Sequence, residues 1–354
     1  MKKHIPACAA VLAILAVMTI SGAAGTAEAG EEARRVYIYT WSDYFDSGVL
    51  REFEEANNCL LEVDYFDSNE SMYAKLKAGG GGYDIITPSS YMSAVMRKQD
   101  MLMTLDHALL PNLGNMDRNF TRHTEDPGMA YSVPYTRTVT GIGYNAGRVK
   151  KEDLGSWDIF GKNAYAKRMT MLNDMREAIG AALKYLGHSI NSTDEGELAE
   201  AGKVLMRWKR NLAKFDVDEA KIGLAGGEFL AVQGYNGDVA LIMEESPDVG
   251  FYIPKEGSSL ASDDFVIAAD SPHADLAHAF INYMLEPGVA RTNMESIRYY
   301  MPNPEAVKLL DPELRDNPAF NVGRDVMDKC EVIRDLGPDN AKYARVWDAV
   351  KADE

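Results

Sequence analysis

The hydrophobic pattern of the chain switches repeatedly between a period of two and a period near 3.6. Val36-Tyr37-Ile38-Tyr39 reads as a strand, and apolar positions over 49–56 recur at helical spacing until Asn57-Asn58 stops them. Residues 60–66 alternate as a second strand, 71–78 form a short helix, and 83–87 form a third strand closed by Pro88-Ser89-Ser90. Gly79 to Gly82 are not followed by Gly-Lys-Ser/Thr, so they read as a helix C-cap and tight turn rather than a phosphate cradle. Residues 131–145 are strand-like throughout and are a candidate for a segment passing between lobes. A second alternating region predicts strands at 168–172, 229–233 and 265–268, with helices at 175–186, 197–213 and 238–244. Pro254-Lys255-Glu256-Gly257 makes a turn, and helices at 274–285 and 341–352 finish the chain. Strands and helices alternating at this spacing predict βαβ units on a parallel sheet, an α/β fold. At 354 residues the chain exceeds what one hydrophobic core usually serves, so two lobes with interleaved crossings are expected.

The first thirty residues follow neither period. Lys2 and Lys3 precede an apolar run from Val11 to Ile20, small residues follow, and Ala27-Glu28-Ala29 supplies an A-x-A exit. This is the layout of a secretory signal peptide over 1–29, too short to span a bilayer, with the mature chain starting near Gly30. Cys8 lies before the apolar run rather than after it, so a soluble exported protein is expected, most simply in a bacterial periplasm.

Composition then narrows the chemistry. With 46% hydrophobic and 26% charged residues the chain is an ordinary folded protein. Lys and Arg total 37 against 54 acids, a net charge of −17; removing Lys2, Lys3 and Glu28 takes away a net +1 and leaves −18. No basic footprint exists for nucleic acid, whereas cations are favoured. Two cysteines remain in the mature chain; Cys59 and Cys330 are expected as small core residues, although export permits a bridge. The histidines at 4, 107, 123, 188, 273 and 278 have no ligand spacing, so no metal site and no cofactor are expected.

In open α/β sheets ligands sit beyond the carboxyl ends of strands. The loops at those points carry Trp41-Ser42-Asp43-Tyr44, Ser89-Ser90-Tyr91, Asn173-Asp174-Met175-Arg176-Glu177, Tyr235-Asn236-Gly237-Asp238 and Asp263-Asp264. Rings or carboxylates recur in every one, and lysine is absent from all of them. An extended diamine or triamine needs carboxylates for its charged ends and aromatic walls for its methylenes. Singly, each position also has an ordinary use: Asp174 and Glu177 fit a helix capping box, Tyr44 and Tyr235 core packing, Asp263 a turn. One carboxylate oxygen of Asp174 can cap while the other faces a cleft. No G-x-S-x-G, HExxH or Cys–His arrangement is present, so no catalytic residue is assigned and an exported hydrolase lacks a nucleophile.

The chain resembles the periplasmic spermidine/putrescine-binding proteins of ABC transporters over essentially its mature length. The carriers are Tyr37 to Tyr44 (YIYTWSDY), Asp67-Ser68-Asn69-Glu70, Tyr83 to Ser89 (YDIITPS), Thr140 to Asn145 (TGIGYN) and Ile253 to Gly257 (IPKEG). The resemblance implies a two-lobed periplasmic-binding-protein fold of type II, with a hinge and a ligand cleft. It implies an N-terminal lobe of 30–139 plus 263–308 and a C-terminal lobe of 140–262 plus 309–354. It places Trp41 and Tyr44 on the ligand's methylenes, Ser42 and Asp43 at one amine, and Ser89 and Tyr91 on a further wall. Asp174 and Glu177 match the acidic pair of the second lobe, Tyr235 and Tyr299 wall aromatics, and Asp238 and Asp263 amine-binding acids.

Three positions depart from the family. Ala261 stands where an aromatic is usual, Arg137 where a tryptophan is expected after Pro134-Tyr135-Thr136, and Ile333 near an expected glutamine. An arginine facing the cleft would repel an amine, pair with a second-lobe acid, or bind a carboxylate on an amino-acid-like ligand. The expected partners are a polyamine, leaning to putrescine over spermidine, and the inner-membrane permease of an ABC importer. A monomer without nucleic-acid partners is expected.

Overall fold

A computed structural model describes residues 34–352 except His123, Pro318, Asn321 and the side chain of Arg324; the expected signal peptide lies outside the described residues. Ten strands appear in chain order: β1 (Arg34–Thr40), β2 (Cys59–Tyr65), β3 (Ile85–Ile86), β4 (Val133–Asn145), β5 (Met169–Met171), β6 (Lys214–Phe215), β7 (Ala231–Tyr235), β8 (Val249–Tyr252), β9 (Ser259–Ile267) and β10 (Glu331–Val332). Hydrogen bonding orders them β2-β1-β3-β9-β4-β7-β5-β6, with β10 on β9 and β8 on β4. The β2-β1-β3 end and the β7-β5-β6 end are each parallel, as the alternating pattern requires.

The centre of this path is antiparallel and belongs to both halves. β4 pairs with β9 through Val139 and with β7 from Thr140 onward, so one continuous strand serves two sheets. β9 makes the return: its start pairs with β10, its middle with β4 and its end with β3. Below this crossing the side chains sort into separate cores. One gathers Val36, Phe53, Tyr135, Phe265 and Phe280; another gathers Trp157, Ile179, Leu205, Trp208 and Tyr343. Beyond the expected change of lobe at residue 309, Leu310, Leu314 and Phe320 pack in the first core.

Local chemistry explains where elements begin and end. Helix Asn69–Lys77 stops in a Schellman motif: Gly79 at φ 91° lets its N–H reach the Leu76 carbonyl and the Gly80 N–H reach Lys75. The glycine run is therefore a helix stop. β3 is shorter than the pattern suggests, although the flanking Asp84 and Thr87 N–H groups still bond to Tyr37 and Tyr39. Several helices, Pro287–Ile297 among them, escape the periodicity. Ser90–Lys98 is buried on nearly every side, so no polar face marks it, and Asp218–Ala225 is too short and mixed to show one. Cys59 and Cys330 are both free thiols, the first buried and the second half-buried.

Phe265 locks β9 to the first core. Its ring lies 4.4 Å from that of Tyr135 and 6.0 Å from that of Phe280, centroid to centroid, and it is fully buried. Replacing it by alanine deletes a ring whose neighbours cannot collapse into the gap. Phe265→Ala is expected to lower unfolding free energy by about 3–5 kcal/mol, measured by chemical denaturation monitored by circular dichroism.

Candidate functional site

Where β4 and β9 cross, the strand ends of both halves face a common cavity. Eleven of the twelve residues singled out from the sequence line it: Trp41, Ser42, Tyr44, Ser89, Tyr91, Asp174, Glu177, Tyr235, Asp238, Asp263 and Tyr299. Asp43 does not. It sits in a tight turn at φ 54°, a left-handed backbone that aspartate tolerates, and its carboxylate points outward to Lys221.

Asp263 is the most tightly held acid. The period of two in β9 puts it on the same face as Phe265, and the next residue, Asp264, on the other. Tyr44 Oη donates to Asp263 Oδ2 at 2.5 Å and Ser89 Oγ to Oδ1 at 2.6 Å. Thr136 hydrogen-bonds to Tyr44 and adds a further bond to the carboxylate. Ser89 is itself fixed, its N–H donating to Asn69 Oδ1 at 2.9 Å. Burial raises the Asp263 carboxyl to about 6 even though those hydroxyls pull it down.

The acids from the other half come from two helix N-termini. Asp174 caps the helix Met175–Leu186, its Oδ1 accepting from the N–H groups of Arg176 and Glu177 at 2.8 and 3.0 Å. The cap and the cavity wall are thus the same residue, as the two oxygens of one carboxylate allow. Glu177 makes no reciprocal bond to that cap; its Oε2 accepts from Ser259 Oγ at 2.5 Å. Burial and the neighbouring Asp174 push Glu177 up to about 8. Asp238 lies in the first turn of the helix Asn236–Glu245, and burial raises it too, against the pull of Lys221. Tyr299 bonds to Asp238 and lies over the helix start; a Cβ on Gly237 would stand 2.7 Å from its ring, so glycine is what admits it.

The walls are aromatic. The rings of Trp41 and Phe66 are 4.4 Å apart, and the Trp41 indole N–H is buried without a hydrogen-bond partner. Tyr44 meets Tyr299 at 5.8 Å, and the half-buried Tyr235 lies near Asp174, Glu177 and Asp263. Behind Tyr91, whose hydroxyl donates to Glu70 at 3.2 Å, that glutamate is pushed up to about 7 by burial and by Asp174.

Sequence reasoning missed several lining residues. Phe66, Asp67, Asn69 and Thr138 follow or precede residues already singled out and flank the same strand ends. Arg176 lies between the two acids of the capping sequence, and its guanidinium donates to the Arg334 carbonyl and to Asn191 Oδ1, both at 2.9 Å. Asp218 and Lys221 come from the helix Asp218–Ala225, which had no sequence signal. Ser42 Oγ donates to Asp218 Oδ1 at 2.8 Å, and Lys221 Nζ lies 3.1 Å from Asp43 and 3.4 Å from Asp218. A lysine therefore does stand at the site, although none lies in the strand-end loops. Arg137, which stands where the family has a tryptophan, is outside this cavity. Its guanidinium lies 4.4 Å from the centroid of the Tyr300 ring and lines a neighbouring space, and no acid pairs with it among the described residues. Ala261 and Ile333 do line the cavity, so the missing ring and missing amide leave apolar wall.

Counted together, six carboxylates line the cavity against two cations, Arg176 and Lys221. Such a space attracts an extended cation and rejects anions, because each buried carboxylate gains from a charge-assisted partner that water no longer supplies.

Comparisons with known proteins agree on this architecture. A family model described as bacterial extracellular solute-binding protein matches residues 49–322. The chain is 33% identical over 330 residues to spermidine/putrescine-binding periplasmic protein 1 of Haemophilus influenzae, covering 92% of each. It is 32% identical to the putrescine/cadaverine-binding protein of Pseudomonas aeruginosa, over 90% of this chain and 94% of that one. The solved structure of the spermidine/putrescine ABC transporter substrate-binding protein PotD from Streptococcus pneumoniae superposes with a TM-score of 0.75 at 32% identity, covering 90% of this chain and 99% of that one. With its separate cores, shared crossing strands and acidic cavity, this chain belongs to the bacterial extracellular solute-binding proteins and has their two-lobed periplasmic-binding fold of type II.

Proposed function

We propose that this chain is a periplasmic receptor that captures polyamines, putrescine or spermidine, and delivers them to the permease of an ABC importer. One observation carries the reading: six acids and a wall of aromatic rings enclose a cavity that holds two cations of its own. The site holds more acids than cations of its own, and a multivalent amine supplies positive partners for the buried ones. The names of the relatives support the same ligand class, and those names also support the periplasm and the transporter. The signal-like stretch at the N-terminus supports export, and the receptor acts as a monomer. Such a receptor has no chemical step; its work is hinge closure around the solute and presentation of the closed form.

The test is a thermal-shift and calorimetric titration of the chain from Gly30 onward with putrescine, cadaverine, spermidine, spermine, GABA and arginine. Binding to the folded state alone must raise the melting temperature once ligand exceeds its dissociation constant. A rise with amines and none with GABA is the expected result. A response only to a carboxylate-bearing ligand would overturn the reading.

Two substitutions separate charge from shape. Asp263→Asn and Glu177→Gln keep the volume of each side chain and much of its hydrogen bonding but remove a buried partner for an ammonium. Each is expected to weaken putrescine binding by about 2–5 kcal/mol, read from calorimetric dissociation constants, with the melting temperature of the unliganded chain at least maintained.

The pH dependence has a defined sign. Asp263 and Glu177 sit at about 6 and about 8 in the folded chain, above their ordinary 3.8 and 4.5. The folded state therefore binds more protons than the unfolded state across that interval. Their stabilising contribution is complete below the ordinary values and is lost as pH rises through the raised ones. Thermal melts of the unliganded chain are expected to fall from about pH 5 to about pH 8.5, and saturating putrescine to flatten that slope. Binding at neutral pH should release protons, visible as a dependence of the calorimetric heat on buffer ionisation.

A further inference from the structure

Among the described residues Lys221 is the one ammonium lining the cavity, and its surroundings are unusual for a surface lysine. It projects from the helix Asp218–Ala225 with its side chain only 21% exposed, against 76% for Asp43 and 61% for Asp218. Its Nζ bridges these two acids at 3.1 and 3.4 Å. Asp43 belongs to the turn after β1, and Asp218 to the second half of the molecule, so the lysine joins the two faces of the cleft. Ser42 closes the same seam through its bond to Asp218. On the inner side Lys221 lines the cavity together with Asp238, whose charge it partly neutralises.

Resting on the polyamine reading above, we propose that Lys221 is a specificity-determining residue: its ammonium, lining the cavity and held between Asp43 and Asp218, takes the place that a third nitrogen of a longer polyamine would need. The protein itself then supplies one of the cations that the acidic cluster demands. A diamine fits between Lys221 and the inner acids, its two ends facing carboxylates that the lysine does not use. A triamine must bring another ammonium up to Lys221, and like charges confined at low dielectric repel strongly. Selection against the longer ligand is thus a repulsive element added to an attractive site, which is how discrimination between chemically similar ligands is often obtained.

Lys221→Met keeps the length and apolar stem of the side chain and deletes its charge; Lys221→Gln does the same with a polar end. Dissociation constants for putrescine and spermidine are to be measured by calorimetry for the parent chain and both variants. The ratio of the spermidine constant to the putrescine constant is expected to fall by about tenfold or more in each variant. A loss of the same factor for both ligands would mean that Lys221 only latches the lobes, and the proposal fails. Asp43→Asn is the control for latching: it weakens the seam but leaves the ammonium in place, so it is expected to leave the ratio within about twofold. A ratio shifted by Asp43→Asn as much as by the lysine variants also overturns the proposal. If the parent chain binds neither amine, the polyamine reading itself falls and takes this inference with it; intact binding with an unmoved ratio removes only the role of Lys221.

Discussion

The structure depends on keeping carboxylates out of water. Withdrawing an acid from solvent costs on the order of several kcal/mol even after relaxation, and this cavity withdraws several at once. The protein meets that cost with fixed hydrogen bonds rather than with counter-charges. Hydroxyls of Tyr44 and Ser89 converge on Asp263, Ser259 holds Glu177, and helix N–H groups hold Asp174. Each of these donors is neutral, so the oxygen lone pairs are satisfied without a cationic donor. A cation entering the cavity meets a charge deficit that the fold has arranged and left in place.

That arrangement explains the topology around it. A hydroxyl network of this kind needs its members held to within a fraction of an ångström, and strands do that better than loops. β4 and β9 run through both halves, and Thr136 and Asp263 lie on them where they pair. Phe265 anchors β9 two residues beyond Asp263, on the same face. The acids of the other half are carried on helix starts, which supply their own N–H groups and a favourable dipole. At the seam, Ser42, Asp43, Asp218 and Lys221 meet across the cleft on more exposed ground. Ion pairs of that exposure are individually weak.

Most of the fold and most of the cavity were legible before any coordinates. Helix Met175–Leu186 has the limits that its apolar spacing and following glycine predict, and β1 and β2 follow their alternation. The strand-end loops carried eleven of the lining residues, because a doubly wound sheet has few places to put a ligand. The failures share a cause. Asp43 looked like a pocket acid from its neighbours, but a turn at positive φ rotates successive side chains to opposite sides. Arg137 sits on a strand whose register with β9 slips between Pro134 and Thr136, and its direction could not be counted from the residues alone. Leu310, Leu314 and Phe320 are apolar in any lobe, and nothing local says which core receives them.

What the sequence determined by itself was therefore local: periodicity, caps, the glycine stop after Lys77, and the residue types at strand ends, all set by interactions within a few positions. What only the tertiary structure decided was who faces whom. Lys221 lies 178 residues from Asp43 along the chain and pairs with it at 3.1 Å, and Ser89 reaches Asp263 across 174. Such pairings depend on strand register and on how two cores meet, and burial there shifts a carboxyl by a distance-dependent field that no linear spacing encodes.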